Sequence, residues 1–363
     1  MMEMNVYFAG SVAEGSRFKE SQQKIVKICE DLGYTVVSRR HAFQIGSEVG
    51  KNISAKEVFE RDLWWLMRKC DVVVGELSVP SFGLGFELGV ASIMGLPILG
   101  LVSNQVDKLS AFVKGNSFKN YNFKIYKQKT LRKLIQVWLE GLDIFAMKRK
   151  GLYIAFEGLN QCGKGTQVEL LIRRLKELGY PTYHCWEPGT IWLGDELRKL
   201  LQVQTEDIPV VQAEVGMLMA QRSQLIEKEI KHHLQSGKIV ISDRSDGTGL
   251  AFQGLGRGQG VLRVAALNGY AVDQVHPDVV IYLQMPITEL MFRGFSEEND
   301  RHEHEDVEFH ERCRKGYEKV LELDELAPPK TWYAVDGLGT PEEVHERVWK
   351  IVEQRLRSKF QKL

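Results

Sequence analysis

Cysteine is scarce in this chain, and neither sign of charge is in excess. The five cysteines among the 363 residues are scattered, without a Cys-x-x-Cys pair, at Cys29, Cys70, Cys162, Cys185 and Cys313. This spacing argues against a disulfide framework and against a zinc site, so we interpret these cysteines as reduced packing residues. Lysine plus arginine and aspartate plus glutamate both total 48, so no overall field attracts nucleic acid or an anionic membrane. We therefore expect small-molecule ligands.

Long hydrophobic runs are missing as well. The most apolar stretch, 89–102, is too short and too rich in glycine to cross a bilayer. The sequence also does not open with a basic stretch followed by a sustained apolar core. These features predict a cytoplasmic protein that has neither a membrane nor a nucleic acid as its partner.

Strand-like and helix-like segments alternate along the sequence, and the length favours two cores. Alternating strands and helices imply parallel sheets that are covered by helices on both faces. We predict two three-layer α/β domains at 1–146 and 151–363, joined by a basic linker at 147–150. The predicted strands lie at 5–9, 34–38, 71–76, 97–102, 152–156, 182–186, 239–242, 279–284 and 331–335. The predicted helices include 18–32, 55–69, 85–94, 130–145 and 168–178.

A glycine-rich segment follows the predicted strand at 152–156 and opens a helix. Glycines let backbone amides turn inward around a phosphate, the helix N-terminus adds partial positive charge, and Lys164 can reach the transferred phosphoryl group. The residue after this lysine is a glycine, so Thr166 must supply the hydroxyl for the β-phosphate or Mg²⁺. The segment predicts an ATP site formed by Gly158, Gly163, Lys164, Gly165 and Thr166.

Further motifs accompany this loop in a fixed order. They are EPGT at 187–190, DR at 243–244, AFQG at 251–254, DRHE at 300–303 and FHER at 309–312. Together with the loop they resemble the thymidylate kinase family, from about residue 151 onward. The resemblance implies a P-loop kinase that uses ATP and Mg²⁺ to phosphorylate thymidine monophosphate (dTMP) or a related deoxynucleoside monophosphate.

The same resemblance assigns roles to individual side chains. Arg244 would hold the acceptor phosphate, Arg222 would contact the edge of the base, and Arg301 would act from a mobile lid. Phosphoryl transfer needs in-line positioning and positive charge around oxygens that repel each other, which arginines supply. Magnesium would be held by Thr166 and Asp243. The other acceptor-binding residues that the resemblance implies are Asn160, Glu187, Asp243 and Gln253.

Several positions on the acceptor side depart from the family pattern. An aspartate, an arginine, an aromatic residue and a tyrosine of that pattern are replaced by Asn160, Trp186, Leu218 and Ser245. The replacements leave open whether thymine is the preferred base. They also leave open whether this half binds nucleotides as a regulatory module without turnover.

The N-terminal half has its candidate chemistry on carboxylates. The first predicted strand ends in a glycine-containing turn at 10–11, where a ligand can approach the backbone. Asp62 lies on a predicted helix, and Glu87 follows a loop in which Ser81 and Gly83 can donate hydrogen bonds to a phosphate. The pattern predicts an anion-binding crevice that Glu87 faces.

This ordered set resembles the nucleoside 2-deoxyribosyltransferase superfamily, most closely its 2'-deoxynucleoside 5'-phosphate N-hydrolases, over roughly residues 5–127. The resemblance implies a flavodoxin-like or Rossmann-like domain that needs no cofactor. Glu87 would attack the anomeric carbon, giving a covalent deoxyribosyl-enzyme that water resolves. Asp62 would protonate the departing base and later activate water, and Tyr7 would orient Glu87.

Phosphate binding and a homodimer follow from the same resemblance. Ser110 would reach the phosphate bound by a neighbouring subunit, which requires two copies of the chain. An arginine often found after the glycine turn is absent, and Ala13 stands near its place. His41 is either a substrate contact or a packed histidine. The substrate-binding residues implied are Gly10, Ser11, His41, Ser81, Gly83 and Ser110.

The two halves together predict a bifunctional enzyme of deoxynucleotide metabolism, which joins a monophosphate kinase to an N-glycosidase. One alternative is that the N-terminal domain transfers deoxyribose between bases. Another is that one of the two domains is a non-catalytic nucleotide-binding module.

Overall fold

A computed structural model describes residues 4–11, 18–43, 53–106, 109–202, 208–293 and 305–360. The described residues form two compact units that divide between Lys148 and Arg149, with Leu326–Pro329 grouped with the first unit. Both units are parallel α/β folds, which confirms the predicted fold class. The exact domain limits, 1–146 and 151–363, stay predictions. Within the described ranges, no helix is long and apolar enough to cross a membrane.

The first unit alternates strands and helices along the chain. Its described strands are Asn5–Gly10 (β1), Thr35–Val36 (β2), Val72–Glu76 (β3), Ile98–Ser103 (β4) and Tyr121–Tyr126 (β5). Its described helices are Lys19–Asp31 (α1), Arg40–Phe43 (α2), Ala55–Arg68 (α3), Phe82–Met94 (α4), Ala111–Gly115 (α5), Leu131–Glu140 (α6) and Phe145–Lys148 (α7).

The strand order of this unit explains where a ligand can bind. The strands are all parallel and run in the order β2-β1-β3-β4-β5. In the doubly wound sheet of this order the connections leave β1 and β3 in opposite directions, so a crevice opens at their carboxyl ends. Val6 on β1 pairs with Val36 on β2 and with Val72 on β3. These central strands are buried on both faces, as their continuous apolar sequences indicate.

One strand of the first unit, β5, is absent from the predicted set. In β5, Tyr121, Phe123 and Ile125 alternate with polar residues, which is the two-residue period of a partly exposed strand. The strand lies at the edge of the sheet, where one side of its backbone stays unpaired. A prediction based on continuous apolar runs therefore misses it. The helix predicted at 130–145 also ends early, at Glu140, and α7 follows it separately.

The second unit has the same kind of architecture. Its described strands are Leu152–Glu157 (β6), Thr182–Trp186 (β7), Ile239–Asp243 (β8), Val279–Gln284 (β9) and Trp332–Asp336 (β10). Its described α-helices are Lys164–Glu177 (α8), Trp192–Gln202 (α9), Val211–Leu225 (α10), Lys231–Gln235 (α11), Asp246–Gly249 (α12), Val261–Val272 (α13), Ile287–Phe292 (α14), Val307–Leu326 (α15) and Pro341–Phe360 (α16). Two segments, Ile226–Ile230 and Leu250–Gly256, are π-helical.

The central strand of the second unit is β6, in the order β10-β9-β6-β8-β7. The parallel pairing of β6 with β8 sets Phe156 opposite Asp243, so the loop after β6 begins beside the end of β8. This is the switch point of the sheet, where ligands of open α/β folds bind. All five cysteines of the chain are free and buried, in agreement with their interpretation as packing residues.

Candidate active sites

The loop between β6 and α8 depends on backbone conformations that favour glycine. Gly158 and Gly163 have φ angles of 144° and 91°. A Cβ atom on Gly158 would also lie 2.7 Å from the Cys162 sulfur and 2.9 Å from the Leu283 carbonyl oxygen, so no other residue fits there. The loop ends at the N-terminus of α8, whose first amides lack partners within the helix. The local sequence therefore builds an anion site.

Lys164 is the first residue of α8 and is almost fully buried. Its Nζ atom donates to the carbonyl oxygens of Gly158 and Leu159, at 3.1 and 2.8 Å. Burial and the positive charge of Arg244 lower the pKa of Lys164 below its ordinary value. A phosphate anion bound in the loop would relieve both effects, because it supplies the negative charge that this ammonium lacks.

A cleft of about 600 Å³ opens beside this loop. Its volume lies in the range of small-molecule sites. The structure brings most of the predicted kinase residues to its wall. These are Asn160, Gly163, Lys164, Gly165, Thr166, Glu187, Asp243, Arg244 and Gln253.

Arg244 follows β8 with a left-handed backbone, at φ 70°. Its guanidinium donates to the Gly158 carbonyl at 3.2 Å, to the Thr248 hydroxyl at 3.3 Å, and to the Asn160 side-chain oxygen. Arg244 thus contacts the phosphate loop itself rather than forming a simple ion pair with Asp243. The cation is thus held beside the phosphate loop, in the wall of the cleft.

Asp243 fits the role of a cation ligand. Its Oδ1 atom is buried and has no hydrogen-bond partner in the part of the chain that the structure describes. Its other carboxylate oxygen lies 3.9 Å from the position that a Cβ atom of Gly165 would occupy. A buried carboxylate oxygen without a partner is costly unless a cation or water satisfies it. Oxygen ligands from a carboxylate and a hydroxyl, here Asp243 and Thr166, are those that Mg²⁺ prefers.

Glu157, the last residue of β6, is a site residue that the sequence patterns did not single out. Its buried carboxylate accepts hydrogen bonds from the Ser245 amide and hydroxyl at 2.9 and 2.7 Å, and from the Thr248 amide and hydroxyl at 3.0 and 2.6 Å. The Tyr317 hydroxyl adds a fifth at 3.1 Å. These bonds tie the segment that carries Arg244 to the strand that carries the phosphate loop. An acidic residue at the end of an otherwise apolar strand was the available signal.

Arg222 is buried on α10, with its guanidinium held by three acceptors. Nε lies 2.7 Å from Glu187, Nη1 donates to the Asn268 side-chain oxygen at 2.7 Å, and Nη2 donates to the Ser245 carbonyl at 3.1 Å. Gln221 donates to the same Glu187 oxygen, also at 2.7 Å. Glu187 lines the cleft, whereas Arg222 is buried behind it and is not among the residues of its wall, so its contact with the edge of the base stays a prediction.

Gln253 is fixed by a second buried carboxylate. Its Nε2 donates to Glu214, which leaves the Gln253 Oε1 atom buried without a hydrogen-bond partner among the described residues. The Asn268 Nδ2 atom is also buried and has no hydrogen-bond partner among the described residues. These two atoms lie 3.7 and 3.6 Å from the position that a Cβ atom of Gly249 would take. One acceptor and one donor without partners among the described residues thus lie near the same buried position, and of these two residues Gln253 lines the cleft.

The predicted lid residue, Arg301, lies outside the described residues, as does the rest of the 300–303 motif. Arg293, which precedes this motif in the sequence, is described and pairs with Glu289 at 3.2 Å. The role of Arg301 stays a prediction.

The first unit places its predicted carboxylates on helices that start at well-formed caps. Asp62 lies on α3, whose N-terminus is a capping box between Ser54 and Glu57. Glu87 lies on α4, whose first turn is capped by the Ser81 hydroxyl at 3.5 Å from the Leu84 amide. The caps fix where each helix begins and therefore which residues face β1.

Asp62 is surrounded by cations. Arg61 Nη2 lies 2.7 Å from one carboxylate oxygen, and His41 Nε2 lies 3.2 Å from the other. Burial alone would raise the pKa of Asp62, but His41 and Arg61 outweigh it and lower this pKa below its ordinary value. The same contact raises the pKa of His41, against the lowering that burial causes. His41 is thus a partner of Asp62, and no local pattern in the sequence indicates this pairing or the role of Arg61.

Glu87 has the opposite electrostatic environment. Burial raises the pKa of Glu87 to about 7, with Asp62 adding to the rise and with His41 and Tyr7 opposing it. Burial raises the pKa of Tyr7, which lies on β1, and the nearby charges of Glu87 and Asp62 raise it further. Its hydroxyl has no aligned hydrogen bond in the described ranges. Tyr7, His41, Asp62 and Glu87 therefore form one electrostatically coupled cluster near the carboxyl end of β1. Clusters with strongly shifted pKa values are typical of catalytic sites.

The predicted phosphate ligands that the structure describes lie at the ends of strands and the starts of helices. Ser11, directly after β1, is buried, and its carbonyl accepts from Gln22 at 3.0 Å. Ser81 caps α4, and Ser110 caps α5 through the Phe112 amide at 3.2 Å and is exposed. Ala13 lies outside the described residues. The phosphate roles of Gly10, Ser11, Ser81, Gly83 and Ser110 stay predictions.

Comparison with known families separates the two halves in the same way. The sequence model of the family described as "Thymidylate kinase" matches residues 156–348. The model described as "Nucleoside 2-deoxyribosyltransferase" matches residues 6–134. The two matches cover the two sets of site residues described above.

Individual relatives resemble the C-terminal half over nearly their whole length. The thymidylate kinase of Fervidobacterium nodosum is 38% identical over 200 residues, which are 55% of this chain and 98% of that protein. The thymidylate kinase of Caldanaerobacter subterraneus subsp. tengcongensis is 34% identical over 208 residues, which are 57% of this chain and 98% of that protein. That of Thermosipho africanus is 35% identical over 207 residues, with 57% of this chain and 100% of that protein covered.

Proposed function

Because the chain belongs to the thymidylate kinase family, we propose that its C-terminal half transfers the γ-phosphoryl group of ATP to dTMP or a related deoxynucleoside monophosphate. The observation that supports this most directly is the cleft in which Lys164 and Arg244 flank one phosphate loop. The chain also contains a nucleoside 2-deoxyribosyltransferase-like domain in its N-terminal half. The enzyme thus joins a nucleoside monophosphate kinase to a domain related to deoxyribosyl chemistry.

In the proposed kinase reaction, the residues of the cleft position two phosphates and neutralise their charge. The loop amides and Lys164 hold the ATP phosphates, and Arg244 holds the acceptor phosphate. Thr166 and Asp243 would hold Mg²⁺, which supplies further positive charge to the transferred group. Glu157 keeps Arg244 in place through Thr248, so the charge is present before substrates bind.

The wall of the cleft supports a deoxynucleoside monophosphate as acceptor. Gln253 lines the cleft, and its Oε1 atom, which has no hydrogen-bond partner among the described residues, can accept from the N–H that thymine presents. Formation of thymidine diphosphate (dTDP) from dTMP, ATP and Mg²⁺, and its loss when Lys164 is replaced, tests the proposal. Failure to form a diphosphate from dTMP and from every other deoxynucleoside monophosphate would overturn it.

For the N-terminal half, we propose hydrolysis of the N-glycosidic bond of deoxynucleoside 5'-monophosphates. A Glu87 carboxylate oxygen bonds to C1' while the bond from C1' to the base nitrogen breaks. The electron pair of the broken bond leaves with the base, and the base takes a proton on the Asp62 side. Water then attacks C1', gives up a proton, and releases Glu87 as a carboxylate. The coupled cluster of Tyr7, His41, Asp62 and Glu87 supports this proposal.

The matching family name favours a second candidate, transfer of deoxyribose to another base. Both reactions share the covalent intermediate and differ only in what resolves it. Incubation with an added free base distinguishes them, because a transferase forms a new nucleotide whereas a hydrolase releases only deoxyribose 5-phosphate and base.

The pH dependence of base release is expected to show an ascending limb. Glu87 must be ionised to attack, and burial raises its pKa to about 7, so kcat/KM should rise as the pH increases through that value. The neighbouring Tyr7 hydroxyl lowers the pKa of Glu87, so Tyr7→Phe should move the limb to higher pH. This shift separates the titration of Glu87 from that of the substrate phosphate. A limb near the ordinary pKa of a glutamate, about 4.3, would contradict the assignment.

We also propose that the chain forms a homodimer through α4 and α5. In the single chain these helices expose large apolar side chains, with Ile93 70% and Phe112 91% exposed. Extensive apolar exposure of this kind marks protein interaction surfaces. Ser110 caps α5 two residues before Phe112, which suits its predicted reach to a neighbouring site.

Sedimentation should give the mass of two chains. Ile93→Glu combined with Phe112→Glu should yield the single chain, because charges would then be buried in the interface. Val137→Glu, at an apolar residue of α6 that is 60% exposed, is the matched control and should leave the dimer intact. A monomeric unaltered protein, or dissociation by the control alone, would contradict the proposed interface.

A further inference from the structure

Cleavage of the bond to a base requires a proton for the departing nitrogen, and in the proposed hydrolase Asp62 faces this task. The structure surrounds Asp62 with cations, however. Arg61 Nη2 lies 2.7 Å from Oδ1, and His41 Nε2 lies 3.2 Å from Oδ2. Asp62 is 9% exposed, so water contributes little to its solvation. A buried carboxylate that contacts the permanently charged guanidinium of Arg61 is ionised and has no proton of its own to give.

The hydrogen bond at the other nitrogen of His41 shows where the proton lies. His41 Nδ1 is 3.2 Å from the carbonyl oxygen of Phe8. A carbonyl oxygen only accepts, so Nδ1 carries hydrogen and donates. Nε2 then faces the Asp62 oxygen. If Nε2 were unprotonated, its lone pair and the carboxylate would repel each other in this buried contact. The contact therefore needs a second proton, on Nε2, which makes His41 an imidazolium.

The imidazole ring is held firmly in this orientation. His41 is 3% exposed, and its ring packs edge-on against Tyr7 and Trp65, with centroids 5.6 and 6.1 Å apart. The Nε2 hydrogen is not aligned with the line to the carboxylate oxygen, so the contact is an ion pair rather than a linear hydrogen bond. The pair nevertheless keeps one transferable proton beside the predicted position of the base.

We infer that His41 stores the proton that Asp62 passes to the departing base; the inference rests on the proposed hydrolase function. As the C1'–N bond breaks, its electron pair stays on the base nitrogen, which takes a proton from the Asp62 carboxyl. Asp62 receives that proton from His41 Nε2, leaving a neutral imidazole. When water later attacks C1', its proton goes to Asp62 and returns to His41 Nε2. His41 is thus a positioning and proton-storing residue that acts through Asp62.

The charges that face His41 support an imidazolium. From α3, Asp62 favours the charged ring and Arg61 opposes it, and from α4 Glu87 favours it. Tyr7 faces the imidazole ring from β1. Lys19 of α1 donates to the main-chain carbonyl oxygen of His41 at 3.1 Å and not to the ring. The net result is a His41 pKa above its ordinary value. Base release should therefore fall as the pH rises beyond the pKa of His41, because the stored proton is lost.

The test uses the full chain with His41→Gln, whose amide can contact Asp62 but cannot give up a proton. Two substrates are compared: a natural deoxynucleoside monophosphate, and deoxyribose 5-phosphate bearing 4-nitrophenol at C1. Nitrophenolate departs without protonation. With the natural substrate His41→Gln should lose about 10²-fold in kcat, at the low end of general acid contributions. With the nitrophenyl substrate it should stay close to the unaltered protein. His345→Gln, at a buried histidine of α16, is the matched control.

Equal losses on both substrates would overturn the proton-storing role and leave only a structural one, and no loss on either would also overturn it. Glu87→Gln should abolish cleavage of both substrates. If the unaltered protein cleaves neither, the hydrolase proposal itself fails, and the inference fails with it. A second measurement does not depend on the folding of the variant. In ¹⁵N spectra of the unaltered protein at neutral pH, His41 should carry hydrogen on both nitrogens, and a neutral ring would contradict the inference.

Discussion

Replacement of Lys164 by alanine is expected to lower the rate of dTDP formation by roughly 10²–10³-fold, the loss typical of one preorganised charge donor. Lys164 is buried at the head of α8, and its ammonium is held by the loop carbonyls of Gly158 and Leu159. Alanine removes the charge that approaches the transferred phosphoryl group and leaves the loop amides in place. The measurement is chromatographic quantitation of dTDP from dTMP, ATP and Mg²⁺ under single-turnover conditions.

Lys176→Ala provides the matched control for this variant. Lys176 lies on the same helix but is exposed, so its loss should leave the rate unchanged. The thermal midpoint of both variants shows whether the fold is retained. Full activity of a folded Lys164→Ala protein would mean that the loop does not bind the transferred phosphate, and the kinase assignment of the cleft would be wrong.

Replacement of Glu87 by glutamine is expected to have the largest effect in the N-terminal half, a loss of base release of about 10⁴-fold or more, as for other covalent nucleophiles. Glutamine keeps the size of the side chain and removes the attacking oxygen anion. It also removes the partial negative charge next to Tyr7 and Asp62, so the fold should not be destabilised. The measurement is free base released from each deoxynucleoside monophosphate.

Glu140→Gln, on the exposed side of α6, is the control for a change of charge in the same unit. It should release base at the unaltered rate. Mass spectrometry of denaturant-quenched reactions adds a direct observation, since deoxyribose 5-phosphate should be attached to the unaltered protein and absent from Glu87→Gln. Base release that survives Glu87→Gln would exclude Glu87 as the nucleophile.

The sequence is informative wherever chemistry depends on neighbours along the chain. The phosphate loop, its strand and its helix are contiguous, so the pattern of residues alone predicts the strand and the helix, which the structure confirms. The roles of Gly158, Lys164 and Thr166 stay predictions. The central strands are predictable because burial on both faces imposes continuous apolar runs. The edge strand β5 has no such run, and its polar alternation conceals it.

Contacts between residues far apart in sequence could not be predicted. Nothing in the local sequence shows that His41 would pair with Asp62, or that Arg61 would share that carboxylate, since this depends on how α2 and α3 pack beside β1. Likewise, Glu157 accepts from Tyr317, 160 residues away. Such partners determine pKa values, so the identity of the carboxylates was predictable while their protonation was not.

The central claim is that one chain contains two separate active sites, and a single assay of two variants tests it most directly. The unaltered protein, Lys164→Ala and Glu87→Gln are each incubated with deoxynucleoside monophosphates, ATP and Mg²⁺, and diphosphate and free base are quantified in the same samples. We predict that Lys164→Ala loses the diphosphate and still releases base, whereas Glu87→Gln loses base release and still forms the diphosphate. Loss of both products in either variant, or the absence of one product from the unaltered protein, would contradict the claim.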